Sequence, residues 1–221
     1  MKFLIHACPQ RMWYVEEFLV PELRAQGAEE IEIWNDAEKA GNLISCMQSF
    51  RSRPEGDGAT WHLQDDVLLC RDFVQRCSDH DRGVVYGFCC EQFGDDSEAL
   101  GLVHVPSGWH SFQCVRIPDA LARECAEWYF SGRWMESPSA ELPILDQLGK
   151  GDDTFFHEFL ECGHGGELVY NVAPNLVEHV DWLLGGSTLH PWAAYLPRAE
   201  FFDDGDLVEK LRADIRARSS D

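Results

Sequence analysis

The chain has 221 residues, 45% of them hydrophobic, and a formal net charge of −21. That length and apolar content suit a single α/β domain with a sizeable core. The charge argues against nonspecific nucleic-acid binding, since most of such a surface repels a phosphate backbone. The same field would accept a divalent cation able to screen an incoming diphosphate from the surrounding carboxylates.

Met1-Lys2-Phe3-Leu4-Ile5-His6-Ala7 is too short an apolar run for a signal sequence and reads as a first core strand. No later stretch approaches the roughly 20 apolar residues of a membrane helix, so the expected location is cytoplasmic, with no membrane partner. The nine cysteines are scattered, and many lie in apolar segments, as buried reduced thiols would. Cys89, Cys90, Cys162 and His164 are conceivable zinc ligands, but no Cys-x-x-Cys pair supports them.

In chain order, strands are expected at Phe3–Ala7, Ile31–Trp34, Thr60–Leu63 and Val84–Phe88, with helical patterns between the first three. This alternation predicts βαβ units and a mixed, mainly parallel sheet flanked by helices. Val15, Phe18, Leu19 and Leu23 form one apolar helix face ending at Gly27, with a kink or an early break expected at Pro21. Gly41-Asn42 precedes a predicted helix from Leu43 to Phe50. Leu69, Phe73 and Cys77 recur at helical spacing, which places Asp65-Asp66 between the end of a strand and a helix, where open α/β sheets bind ligands. A helix is expected from about Pro118 to Phe130. A closing amphipathic helix from Asp206 would carry Leu207, Leu211 and Ile215.

Three features could carry chemistry. In Gln64-Asp65-Asp66 two adjacent carboxylates repel, so they require a purpose: a hard cation such as Mg²⁺ or Mn²⁺ held together with substrate phosphates, or an ordinary helix cap. Asp152-Asp153 precedes Phe155, Phe156 and Phe159 and reads either as a cap or as a base, each acid raising its neighbour's pKa. His179 follows Pro174-Asn175-Leu176-Val177-Glu178 and precedes Gly185-Gly186-Ser187-Thr188, a turn whose N–H groups could hold phosphate oxygens; structural histidine and ligand both remain open.

In this order the features resemble the GT-A glycosyltransferases, particularly small bacterial and phage members. The resemblance runs through Pro9 and Arg11, Gln64-Asp65-Asp66, Ile117-Pro118, Asp152-Asp153 and Pro174 to His179. It implies a Rossmann-type nucleotide-diphospho-sugar transferase, a hexosyltransferase, with residues 1–90 holding the nucleotide sugar and 91–221 the acceptor and catalytic half. By the resemblance, Asp66 is the metal ligand with Asp65 beside it, His179 a second metal ligand, and Asp153 the catalytic base with Asp152 its alternative. Ala7, Pro9, Arg11 and Asp36 would hold the nucleotide base and ribose, with Gln64 and Ser187 also in the donor site. The implied cofactors are Mn²⁺ or Mg²⁺ and a nucleotide-sugar donor, a UDP-sugar being the first expectation. The acceptor, whether glycan, protein, lipid-linked sugar or modified nucleotide, is not named by the sequence. Gln64 departs from the family, which usually has an acid there.

Trp109, Trp134, Trp182 and Trp192 could stack on sugar faces, although with eight tryptophans in the chain core or subdomain packing is the expectation for most. Two rivals share the sheet: a regulatory protein that binds nucleotide without turnover, and a nucleotidyltransferase. The latter usually has a glycine-rich phosphate loop where this chain has Cys8-Pro9-Gln10-Arg11. An enzyme decorating DNA bases would need Arg51, Arg53 and Arg71 to form a local patch.

Overall fold

The computed structural model describes residues 1–88, the backbone of 101–104, residues 112–136, 151–164, 169–173 and 175–180, and positions 184, 211, 213, 215 and 217. Ser187, Cys89, Cys90, Trp109, Trp182 and Trp192 lie outside the described residues.

The strands are β1 (Lys2–Ala7), β2 (Glu30–Asn35), β3 (Ala59–Gln64), β4 (Val67–Leu69), β5 (Val84–Tyr86), β6 (Gly101–His104), β7 (Cys114–Pro118), β8 (Val169–Ala173) and β9 (Val177–His179). Seven form one sheet in the order β2-β1-β3-β7-β5-β8-β6, while β4 and β9 make a separate ribbon. β2, β1, β3, β5 and β8 share one direction, and β7 and β6 run against it. The sheet is thus mixed and mainly parallel, as the alternating pattern predicts.

Strand position explains strand composition. β1 lies between two neighbours and is apolar on both faces, as a doubly covered strand must be. β2 forms the sheet edge and alternates Glu30, Ile31, Glu32, Ile33. Side chains of alternating parity feed two cores. Phe3, Ile5, Trp61 and Leu63 pack with Tyr14, Val15 and Leu23 of the first helical segment and with the β4–β9 ribbon. Tyr86, Val115 and Ile117 pack with Phe50, Leu121, Trp128, Phe155 and Phe156 from three helices, Asn42–Arg51, Asp119–Phe130 and Asp152–Glu161. Trp134 meets the Phe155 ring in this second core. Leu211 is buried in the first core and Ile215 packs against it, so these two tail positions face inward at helical spacing.

The helical segment does not break early at Pro21; its winding changes just before the proline. The segment after β1 runs as a 3-10 turn (Pro9–Arg11), an α-turn (Met12–Tyr14), a π-helical stretch (Val15–Leu19) and a final α-helix (Val20–Ala25). Proline has no N–H to give and its ring crowds the carbonyl four residues back; the wider π turn immediately before it accommodates both.

One element differs from expectation. Asp65-Asp66 does not start a helix: it is a turn between β3 and β4, and the helix follows only at Phe73–Ser78. Val67-Leu68-Leu69 has its pairing partner in β9, more than a hundred residues on, which a local pattern cannot reveal. The capping alternative for this acid pair therefore falls. Pro118 also sits one place earlier than expected, before the first residue of the Asp119–Phe130 helix.

Candidate active site

β1, β2 and β3 are in parallel register, with Ala7 beside Asn35 and His6 beside Gln64, so their carboxyl ends stop at the same edge. The connections leaving that edge must diverge, and the crevice between them is where open α/β sheets hold ligands. A cleft of about 180 Å³ lies there, lined among others by Ala7, Arg11, Asp36, Gln64, Asp65 and Asp66.

Asp65 and Asp66 are almost fully buried. The Arg11 guanidinium spans them, Nη2 to Asp65 Oδ1 at 2.8 Å and Nη1 to Asp66 Oδ2 at 2.6 Å. The Cys8 N–H donates to Asp65 Oδ2 at 2.6 Å. The second side of Asp66 is built by the β4–β9 ribbon. Pairing of Val67 with His179 lets Val180 N–H donate to the Asp66 carbonyl at 2.8 Å and sets His179 Nε2 3.3 Å from Asp66 Oδ2. Burial pushes the Asp66 carboxyl up, but His179 and Arg11 outweigh it and hold it below its ordinary value. For Asp65, burial prevails over Arg11, and its pKa is raised.

Asp66 Oδ1 is buried and has no hydrogen-bond partner among the described residues. An ionised oxygen in that condition is costly unless something positive meets it. Together with the nearby imidazole of His179 it fits a hard divalent cation, though only partly. Among the described residues no group of three or more His, Cys, Asp or Glu could hold a metal. Two protein ligands would suffice where substrate phosphates and water supply the rest.

Behind the lining residues Asn42 and Gln64 stands the Asp152–Glu161 helix. Asn42 and Gln64, both lining the cleft, reach Asp152: Asn42 Nδ2 donates to Oδ1 at 2.7 Å and Gln64 Nε2 to Oδ2 at 3.4 Å. Burial, then the neighbouring charge of Asp153, raises the Asp152 pKa to about 7. Asp153 is less buried, and its Oδ1 accepts from Thr154 N at 2.6 Å and Thr154 Oγ1 at 3.2 Å. Gln64 thus has a local physical reason: an acid there would set another carboxylate against Asp152, whereas the amide donates to it.

Of the expected donor-site residues, Ala7, Arg11, Asp36, Gln64 and Asp65 line the cleft, and Pro9 does not. Pro9 is exposed and opens the 3-10 turn that carries Arg11. The Asp36 carboxylate is engaged by its own loop, accepting from Ala40 N at 2.8 Å and Gly41 N at 3.1 Å. His6, Cys8, Asn42, Ser45 and Cys46 complete the wall without having been singled out by sequence. Asn42, Ser45 and Cys46 stand at i, i+3 and i+4 of one helix and so share a face, but Gln48, Ser49 and Arg51 are polar in the same helix and mask it in the sequence. Arg53 is buried and bonded to Glu32 at 2.8 Å and 3.1 Å, so it contributes nothing to a basic surface patch with Arg51 and Arg71. Of the other two proposed zinc ligands, Cys162 Sγ contacts Glu158 Oε1 at 3.6 Å, and His164 pairs with Glu124 and stacks on Phe159.

No family model matches the chain, and no curated protein sequence matches it. Among solved structures it is similar to the galactosyltransferase LgtC in complex with donor and acceptor sugar analogues, at 13% identity over 98% of this chain and 96% of that one, with a TM-score of 0.55. An active-site mutant of LgtC matches at 12% identity, over 99% and 96% of the two chains, with a TM-score of 0.50. The inositol-1-phosphate CTP transferase from T. maritima is similar at 12% identity over 97% and 77%, and its TM-score of 0.42 is too low to bear on function. The fold is the GT-A fold. No described helix is long and apolar enough to cross a membrane.

Proposed function

We propose that this protein is a glycosyltransferase that takes a nucleotide-diphospho-sugar, with a UDP-sugar as the first donor to test, and passes the sugar to an acceptor hydroxyl. The observation that carries the reading is the meeting of three parallel strand ends at a cleft beside Asp66, whose buried Oδ1 has no partner among the described residues. The similarity to LgtC, crystallised with donor and acceptor sugar analogues, supports the same direction.

In this reading Asp66 and His179 hold a divalent cation, Mn²⁺ or Mg²⁺, which would neutralise the charge that develops on the nucleoside diphosphate as it leaves. The nucleotide lies along the ends of β1 and β2, between the Cys8–Arg11 turn and the Asp36 loop. Asp152 is the base: a carboxylate with a pKa near 7 is divided between its two forms at neutral pH, the condition for efficient proton transfer. Its Oδ1 is fixed by Asn42, leaving Oδ2, with only the long contact from Gln64, to take the acceptor's hydroxyl proton. The acceptor oxygen bonds to the sugar carbon as the bond to the diphosphate breaks. Asp153, the base implied by the resemblance, instead keeps the Asp152 pKa high through its charge.

Calorimetric titration with UDP and then GDP, with and without Mn²⁺, tests this. Metal-dependent binding of one nucleotide, abolished in Asp66→Ala, is expected; failure of both nucleotides to bind under any metal condition overturns the reading.

A further inference from the structure

The acid pair already has a cation, and it is part of the chain. Arg11 puts one guanidinium nitrogen on each carboxylate, at 2.8 Å and 2.6 Å, using Asp65 Oδ1 and Asp66 Oδ2. Cys8 N–H takes the second oxygen of Asp65, which leaves Asp66 Oδ1 as the one oxygen of the pair with no partner among the described residues. Arg11 Nε is likewise buried without a partner there. A planar guanidinium suits two carboxylates because its donors form a rigid fork. Here it bridges two acids instead of chelating one, so neither acid is bound bidentately.

We infer that Arg11 is a resident counter-ion that competes with the divalent cation for Asp65 and Asp66, so that the cation enters only by exchange with the guanidinium. The inference rests on the proposed metal role of Asp66 and deepens it. Two near-buried carboxylates facing each other in a chain of net charge −21 need a positive group at all times. Arg11 provides it from within the chain. The Arg11 side chain is only partly buried, about one-fifth exposed, and it is carried on a short 3-10 turn, so it can swing toward the cleft without unpacking the core. Once displaced, its charge lies at the mouth where a donor diphosphate arrives, which couples metal entry to nucleotide binding: each lowers the cost of the other. The expectation is weak binding of metal alone and markedly tighter binding with nucleotide present.

The test is Mn²⁺ titration at pH 7.5 without any sugar donor, read by the electron paramagnetic resonance signal of free Mn²⁺. Arg11→Met should bind Mn²⁺ at least tenfold more tightly than the natural chain, and Arg11→Lys should fall between, since an ammonium cannot fork across both acids. Adding Asp66→Asn to Arg11→Met should return binding to the weak level. Equal or weaker binding by a folded Arg11→Met overturns the inference. If Arg11→Met does not fold, nitrogen NMR of the natural chain decides: saturating Mg²⁺ without nucleotide should change the Arg11 side-chain resonances, and unchanged resonances overturn it. The two ideas fail separately. Unaltered Mn²⁺ affinity alongside Asp66-dependent UDP binding removes the exchange alone, whereas tighter Mn²⁺ binding in Arg11→Met without binding of any nucleotide removes the glycosyltransferase reading alone.

Discussion

Asn42 Nδ2 donates to Asp152 Oδ1 at 2.7 Å, joining residues 110 positions apart in the chain. Asn42 opens the helix that follows β2, and Asp152 opens the helix that leads toward β8. The bond ties a residue that lines the cleft to the carboxylate proposed as base, which is buried just behind that wall.

Asp152 should make the protein less stable as pH rises. Its carboxyl pKa is about 7 in the folded chain and near 3.8 when unfolded, so above pH 4 the folded state binds more protons than the unfolded one and stability falls until about pH 7. A difference of that size corresponds to about 4 kcal/mol. In Asp152→Asn this decline should disappear, and the variant should gain on the natural chain between pH 4 and 7 in urea denaturation. Parallel curves for the two proteins would show that the Asp152 pKa is not raised.

The same residue should govern turnover. With the donor identified, the rate of the natural chain should rise with pH through about 7, and Asp152→Asn should lose about 10²- to 10⁴-fold in kcat. A variant with Asp153→Asn should keep much of the rate while its pH profile moves to lower pH, because the neighbouring charge that lifts Asp152 is gone. A pH profile that stays in place when Asp153 is changed would remove that role from it.

Phe156 is fully buried among the rings of Phe50, Phe112 and Phe159. Phe156→Ala removes that packing and leaves a cavity beneath the helix bearing Asp152. A loss of about 3–5 kcal/mol is expected. Chemical denaturation measures it, and a loss below about 1 kcal/mol would mean that this core closes over the gap or is not packed as described.

Thr60 Oγ1 donates to Asp119 Oδ1 at 2.7 Å, and both residues are buried. Thr60→Val keeps the shape and removes the donor, so a buried carboxylate loses a partner at the start of the Asp119–Phe130 helix. The expected cost is about 1–3 kcal/mol, with Thr60→Ser largely restoring stability. Equal melting temperatures for the valine variant and the natural chain would contradict it.

The elements set by local pattern were legible from the sequence. Strand alternation at β2 and β3, the apolar run Phe3-Leu4-Ile5 of β1, and helical spacing through Leu43–Phe50 and Phe155–Phe159 each depend on neighbours within a few residues, and burial of one face follows directly from them. So did the mixed, mainly parallel sheet, and with it the place where a ligand crevice forms. The turn at Asp65-Asp66 was not legible, because β4 is a strand only by virtue of its pairing with β9. Nor was the bridging of both acids by Arg11, the ribbon pairing that sets His179 beside Asp66, or the burial that is the larger cause of the raised Asp152 pKa. Each is an electrostatic or hydrogen-bonded relation between segments far apart in the chain, fixed by strand register and helix packing. A sequence can name the charged residues, but the distances that decide whether they repel, pair or share a cation exist only after the chain has folded.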